Sequence, residues 1–289
     1  MPVELIVNVV IGGVLTGMVY GLMALGLSVI FGVVRVVNFA HGEMMTLSMY
    51  GAVLAGGLLG LDPLLMVIPL AAILFFIGYA LQAGLINPFI TRPEHSQFLL
   101  LVAVATILVN GLLIIFGPSA RNVQVDYAFD SFEIGPILID SVRVYAAGAA
   151  LLVATLLFLF FAHTRYGKAI RACADNNLGA RVVGLNVDRL YALTFGIGSG
   201  CVGAAGAIMI MLVDVTPSLG PAYTLLAFII VIVGGMGSMV GALLGGVLIG
   251  LTEAVAGLIF VPSAKSMLSF ALLIVVLLLR PQGLLGKRS

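Results

Sequence analysis

The chain has 289 residues, of which 62% are hydrophobic and 9% charged, and its formal net charge is +1. A soluble domain carries about 25% charged residues, so lipid rather than water must solvate most of this surface. The near-neutral balance gives no case for nucleic acid. Two cysteines, Cys173 and Cys201, give neither a disulfide framework nor a metal site.

A membrane span needs about 20 apolar residues. Apolar stretches run over 5–34, 37–61, 64–86, 98–117, 144–162, 190–213, 222–234, 239–260 and 266–279. They predict an all-α polytopic membrane protein, a single transmembrane domain over 1–289 with eight or nine transmembrane helices. The first stretch is too long for the apolar core of a signal peptide and lacks a basic leader, so it reads as a span. The stretch 37–61 opens with polar residues and predicts a partial or broken helix near 38–43. The stretch 222–234 is short and ends in a second break near 234–238.

Charge orients the chain. The polar island 163–189 carries Arg165, Lys168, Arg171, Arg181 and Arg189 against Asp175 and Asp188, which predicts a cytoplasmic loop. Segment 118–142 is then extracytoplasmic, and its Asp126, Asp130, Glu133 and Asp140 suit that side. Alternation of Phe132, Ile134, Ile137 and Ile139 around Gly135-Pro136 predicts a small hairpin. Segment 87–97 is inside. Arg280, Lys287 and Arg288 form a second basic cluster, so the C-terminus is cytoplasmic and an even number of crossings separates it from Arg189. The side of the N-terminus depends on whether 37–61 crosses.

Gly13, Gly17 and Gly21 share one helix face, as do Gly241 with Gly245 and Gly246 with Gly250. Small residues four apart let backbones approach closely, either within the chain or at a seam with a second membrane subunit.

Arg35 to Glu43 reads RVVNFAHGE. Its polar groups are costly in hydrocarbon. Three readings fit: a solvated turn, a structural hydrogen-bond network, or Asn38, His41, Gly42 and Glu43 lining a substrate path. Gly234, Gly235, Gly237 and Ser238 break the helix between two apolar stretches, and transporters use such breaks where half-helix ends meet substrate. The settings of the two breaks are loosely alike, which hints at an internal repeat; tight packing at a turn is the plainer reading. Glu253, deep in an apolar stretch, is either functional or a structural hydrogen-bonding group. Within the basic loop, Asp175 can cap a short helix from Asn176 to Val183, with Gly184 at the left-handed C′ position and Arg181 near the helix end. Such a helix is a rigid knob on the cytoplasmic face. Motifs for a P-loop, a zinc protease or a serine nucleophile are absent, and no cofactor is expected.

Together, NFAHGE at 38–43, GKAIRACADNNLGARVVGLNVDR at 167–189, VGGMGSMVGALLGG at 233–246 and RPQGLLG at 280–286 resemble permeases of branched-chain amino acid ABC importers, most closely the LivH-type. The resemblance covers nearly the whole chain. It implies a cell inner (cytoplasmic) membrane permease that does no chemistry itself. Its partners would be a LivM-type second permease, two ABC ATPase subunits that hydrolyse ATP, and a periplasmic substrate-binding protein. Residues 176–184 match the family's ATPase-coupling loop, with Ala180 and Gly184 in its A-x-x-x-G positions; Asn176-Asn177 stand where relatives often carry an acid. Asp175, Asn176, Asn177, Ala180, Arg181 and Gly184 are the coupling candidates. The implied solute is a branched-chain or other hydrophobic amino acid; urea, amides or small organic acids are the alternative within the family, and a stand-alone secondary transporter the alternative outside it.

Overall fold

A computed structural model describes residues 3–90, 92–135, 137–259 and 264–286. Among these, seven helical segments are long and apolar enough to cross a membrane. The chain begins with α1 (Val3–Val34), α2 (His41–Leu59), α3 (Pro63–Leu81) and α4 (Glu94–Phe116). A β-hairpin, β1 (Ser131–Ile134) and β2 (Ile137–Asp140), follows. Then come α5 (Ser141–His163), α6 (Arg165–Asp175), α7 (Asn177–Val182), α8 (Val187–Met209), α9 (Gly220–Gly234), α10 (Met239–Ile259) and α11 (Ala264–Leu279). The expected eight or nine spans therefore become seven that qualify by length and apolarity. The polar start of α2 lowers its hydropathy, and α11 is short. Lys287 and Arg288 of the C-terminal basic cluster lie outside the described residues.

The bundle has two distinct ends. The hairpin forms as the alternation predicts, pairing Phe132 with Ile139. It marks one end, together with the start of α1, where Arg143 reaches Gly12. The other end carries α6 and α7; Asn87 joins it by donating its amide to the carbonyl of Asp188 at 3.2 Å. The N-terminal end of α1 thus lies with the 118–142 segment, and the end of α11 lies with the basic loop. Arg35, Arg92 and Arg280 share the basic end with the loop's own cations, while Arg121, Arg143 and Lys265 sit at the hairpin end.

Two helices start inside the bundle. After α1 ends at the basic end, residues 35–40 turn back into it. The Nε2–H of His41 then donates to the carbonyl of Met23 at 2.9 Å, about 16 Å along α1 from its end at Val34. From there α2 runs toward the hairpin end. At the opposite side Val215 exchanges both backbone hydrogen bonds with Arg121, at 2.8 and 2.9 Å. The chain then descends into the bundle before α9 starts at Gly220. Fifteen residues give α9 about 22 Å, short of the ~30 Å hydrocarbon layer. α2, nineteen residues and about 28 Å long, and α9 both start inside the bundle and run in opposite directions, half-helices in that sense.

This is an inverted arrangement. Each half offers a long helix, a re-entrant half-helix and a second long helix, in opposite directions: α1, α2, α3 and then α8, α9, α10. The long helices swap partners. Gly17 of α1 packs on Gly246 and Val247 of α10, while Gly200 and Gly203 of α8 pack on Ala71 and Leu70 of α3. Where α1 crosses α8, a Cβ on Gly26 would lie against the carbonyl of Gly198, and a Cβ on Gly198 against that of Gly26. Small residues here serve packing inside the chain. The repeat suggested between 38–43 and 234–238 is corrected: the counterpart of 35–40 is 210–219. Gly235 and Gly237 close a tight turn at the basic end of the bundle, with φ of 106° and 78°.

Candidate functional site

The N-termini of α2 and α9 meet inside the bundle. The Gly42 amide donates to Thr224 Oγ1 at 2.8 Å, and the Thr224 hydroxyl donates to Glu43 Oε2 at 2.9 Å. This relay ties one half-helix to the other. Neither start has a side-chain cap of its own; a carboxylate in the first turn of α2 suits the positive end of the helix dipole. The helices touch through glycine on both sides. A Cβ on Gly42 would meet the Gly220 carbonyl, the Thr224 amide and its Oγ1, and a Cβ on Gly220 would lie 2.9 Å from Glu43 Cα.

Asn38 and His41 are fully buried. The Asn38 Oδ1 accepts from the Ala40 amide at 3.1 Å and its Nδ2 faces Met44 Sδ at 3.8 Å. These two side chains hold the re-entrant turn from behind. Glu43, by contrast, faces a groove of about 470 Å³. The groove is lined by Phe39, Glu43, Pro221, Thr224 and Phe228 on one side and by Val102, Thr106 and Asn110 of α4 on the other. Thr106 and Asn110 are exposed in the middle turns of an otherwise apolar helix. Thr224, Thr106 and Asn110 are not singled out by the sequence. The signal for Thr224 was Pro217 with Gly220-Pro221 between two apolar runs; isolated Thr and Asn on α4 carry no comparable signal.

Gly234, Gly235, Gly237 and Ser238 lie elsewhere, at the basic end. The C-terminal segment pairs with them: the Leu284 and Leu285 amides donate to the carbonyls of Val233 and Gly234 at 2.9 and 3.0 Å. The Ser28 hydroxyl donates to the Ser238 carbonyl at 3.2 Å. A cavity of about 850 Å³ opens beside this turn, lined by Arg35, Arg171, Asp175, Gly237, Ser238 and Leu285 among others. Arg35, at the turn that leaves α1, has φ 58°.

The basic loop folds into α6 and α7. Thr164 caps α6, accepting from the Gly167 amide at 3.0 Å. The cap of α7 is Asn176, not Asp175: its Oδ1 accepts from the Gly179 amide at 2.8 Å, and its backbone is extended. Asp175 instead ends α6 in helical geometry, so it cannot take the capping position. Asn177 begins α7 and Ala180 is its buried residue. Gly184 follows with φ 86°, and the Leu185 amide closes back on the Ala180 carbonyl at 3.0 Å. Arg181 pairs with Asp188 at 3.1 Å. Leu178, Val182 and Val183 stand exposed, by 70%, 81% and 74%, at the basic end of the bundle. Burial pushes the Cys173 thiol of α6 above its ordinary range. Glu253, on α10, accepts hydrogen bonds from Tyr20 at 3.1 Å and Ser269 at 3.3 Å, linking α1, α10 and α11.

Seven helices long and apolar enough to cross a membrane make this a multi-pass membrane protein, and opposed helix starts beside a groove are an arrangement that transporters use. Comparison with known proteins gives the family. The chain belongs to the family described as branched-chain amino acid transport system / permease component, which matches residues 9–277. It is 30% identical to the high-affinity branched-chain amino acid transport system permease protein BraD of Pseudomonas aeruginosa, over 96% of this chain and 94% of that protein. It is 29% identical to the LivH permease of Escherichia coli K12, over 95% and 94%. It is also 25% identical to the ribose import permease protein RbsC of the same organism, over 90% and 81%. No solved structure matches the chain.

Proposed function

We propose that the chain is one of two permeases in an ATP-driven importer of branched-chain or other hydrophobic amino acids in the cell inner membrane. The observation that carries this reading is the meeting of α2 and α9 beside an open groove. Thr106 and Asn110 are polar groups exposed at membrane depth, and such groups face partners or water rather than lipid. A second permease of LivM type closes the groove, and the solute passes between the two subunits. Gly42 and Glu43 form its wall, with Asn38 and His41 bracing that wall. Gly234, Gly235, Gly237 and Ser238 shape the inner mouth beside the larger cavity.

The excess of Arg and Lys at the end that carries α6 and α7 supports a cytoplasmic side for that end and for the C-terminus. Two ATPase subunits grip α7 there. Leu178 and Val182 offer the apolar contact, Asn176 and Gly184 fix the ends of the helix, and Arg181 with Asp188 holds it on α8. ATP hydrolysis takes place on those subunits. A periplasmic binding protein delivers the solute at the hairpin end. Leucine uptake by the complex expressed with its neighbouring genes tests the reading. Uptake should vanish when the P-loop lysine of the ATPases is replaced; uptake that survives would mean a stand-alone transporter.

A further inference from the structure

We propose that the Glu43 carboxyl group takes the ammonium group of the transported solute, whose aliphatic side chain lies against Phe39 and Phe228. The proposal rests on the reading of the chain as an amino acid permease and names the group that does the recognising. Glu43 is 3% exposed yet lines the groove. Its Oε2 takes the Thr224 hydroxyl, and the backbone amide of Glu43 also hydrogen-bonds to the carboxyl group. Among the described residues, no Lys or Arg lines the groove. A buried carboxyl group that lines a cavity with no cation beside it favours a cationic ligand group. The rest of the groove fits the remainder of an α-amino acid. Phe39 and Phe228, with ring centroids 5.2 Å apart, form an apolar wall for a short aliphatic chain. Across from them, Asn110 donates to the Thr106 carbonyl at 2.8 Å, which leaves its second amide hydrogen for the solute's carboxylate. The volume of about 470 Å³ falls within the usual range of small-molecule sites, about 300–1,000 Å³.

The test uses the intact complex in lipid nanodiscs without the binding protein, with ligand contact read by saturation-transfer NMR. The probes are leucine, 3-methylbutylamine, which lacks the carboxylate, and 4-methylpentanoate, which lacks the ammonium. Leucine and the amine are expected to bind and 4-methylpentanoate is not. Glu43→Gln should weaken leucine and the amine by about tenfold or more, the loss of one charged hydrogen bond. Asn110→Ala, on the exposed side of the groove, should weaken leucine and leave the amine unchanged. The proposal is overturned if 4-methylpentanoate binds as well as leucine, if Asn110→Ala weakens both ligands alike, or if Glu43→Gln binds the amine as tightly as wild type does. It also fails if wild type binds neither leucine nor the amine. Leucine uptake measured on the same complex with its binding protein separates the two levels: uptake without these binding patterns removes only the ammonium site, and no uptake of any amino acid removes the transport reading as well.

Discussion

Gly42 and Gly220 face each other at the crossing of two half-helices, and neither leaves room for a side chain. A Cβ at either position meets the backbone of the other helix, with Thr224 Oγ1 or Glu43 Cγ beside it. The obstacle cannot rotate away, so the half-helices must part.

Gly42→Ala and Gly220→Ala are therefore expected to destabilise the permease by about 1–3 kcal/mol, the cost of overpacking, and to cut uptake by roughly tenfold or more, since a tenfold effect needs only about 1.4 kcal/mol. Gly111→Ala is the comparison. A Cβ there meets nothing within 4 Å, and Ala is the better helix former by up to about 1 kcal/mol. Thermal midpoints of the purified complex, with uptake normalised to it, separate the two cases. Wild-type uptake by Gly42→Ala would show that the crossing does not control the path.

Cysteine accessibility distinguishes the groove from the wall behind it. In a background with Cys173 and Cys201 replaced by serine, cysteines at 106 and 110 should react with a small water-soluble thiol reagent. Cysteines at 38 and 41 should stay unlabelled over the same time, because both native side chains are fully buried. Equal labelling at 38 and 110 would mean that the re-entrant turn opens during transport.

The turn at 234–238 and the C-terminal segment should fail together. Gly235→Ala forces a side chain into a backbone at φ 106° and against the Gly286 backbone. Removing residues 280–286 deletes the two amides that satisfy Val233 and Gly234. Both changes should lower uptake per assembled complex to a similar degree. Full activity after the truncation would show that the C-terminal segment is dispensable to the turn.

On α7, Asn176→Ala should cost about 1 kcal/mol locally through loss of the cap, and Gly184→Val should strain the left-handed stop. Leu178→Ser and Val182→Ser leave the helix intact and remove only its exposed apolar face. They should reduce uptake and solute-stimulated ATP hydrolysis while the permease still inserts. Unchanged stimulation in the Leu178→Ser, Val182→Ser double variant would remove α7 as the ATPase contact.

Much of the architecture was legible because it rests on local rules. Spans announce themselves by length and apolarity, the hairpin by alternation around Gly135, and α7 by an Asx cap and a glycine stop. Even there the cap was displaced by one residue, since whether Asp175 or Asn176 leaves helical geometry is decided by how α6 ends. The polar cluster at 38–43 was visible as costly groups in an apolar stretch. Which of them face the groove was not, because Asn38, His41 and Glu43 differ only in the direction the chain turns after Arg35.

What the sequence alone determined was the solvent, the number of apolar stretches, the basic end and the family's motifs, each of which depends on residue type and spacing along the chain. The tertiary structure alone decided that 210–219 mirrors 35–40. It also decided that Glu43 meets Thr224 across a sequence separation of 181 residues, and that Gly234–Ser238 is a turn at the bundle end. Those facts depend on two half-helices of opposite direction packing through facing glycines, and no local pattern encodes which glycine will find which.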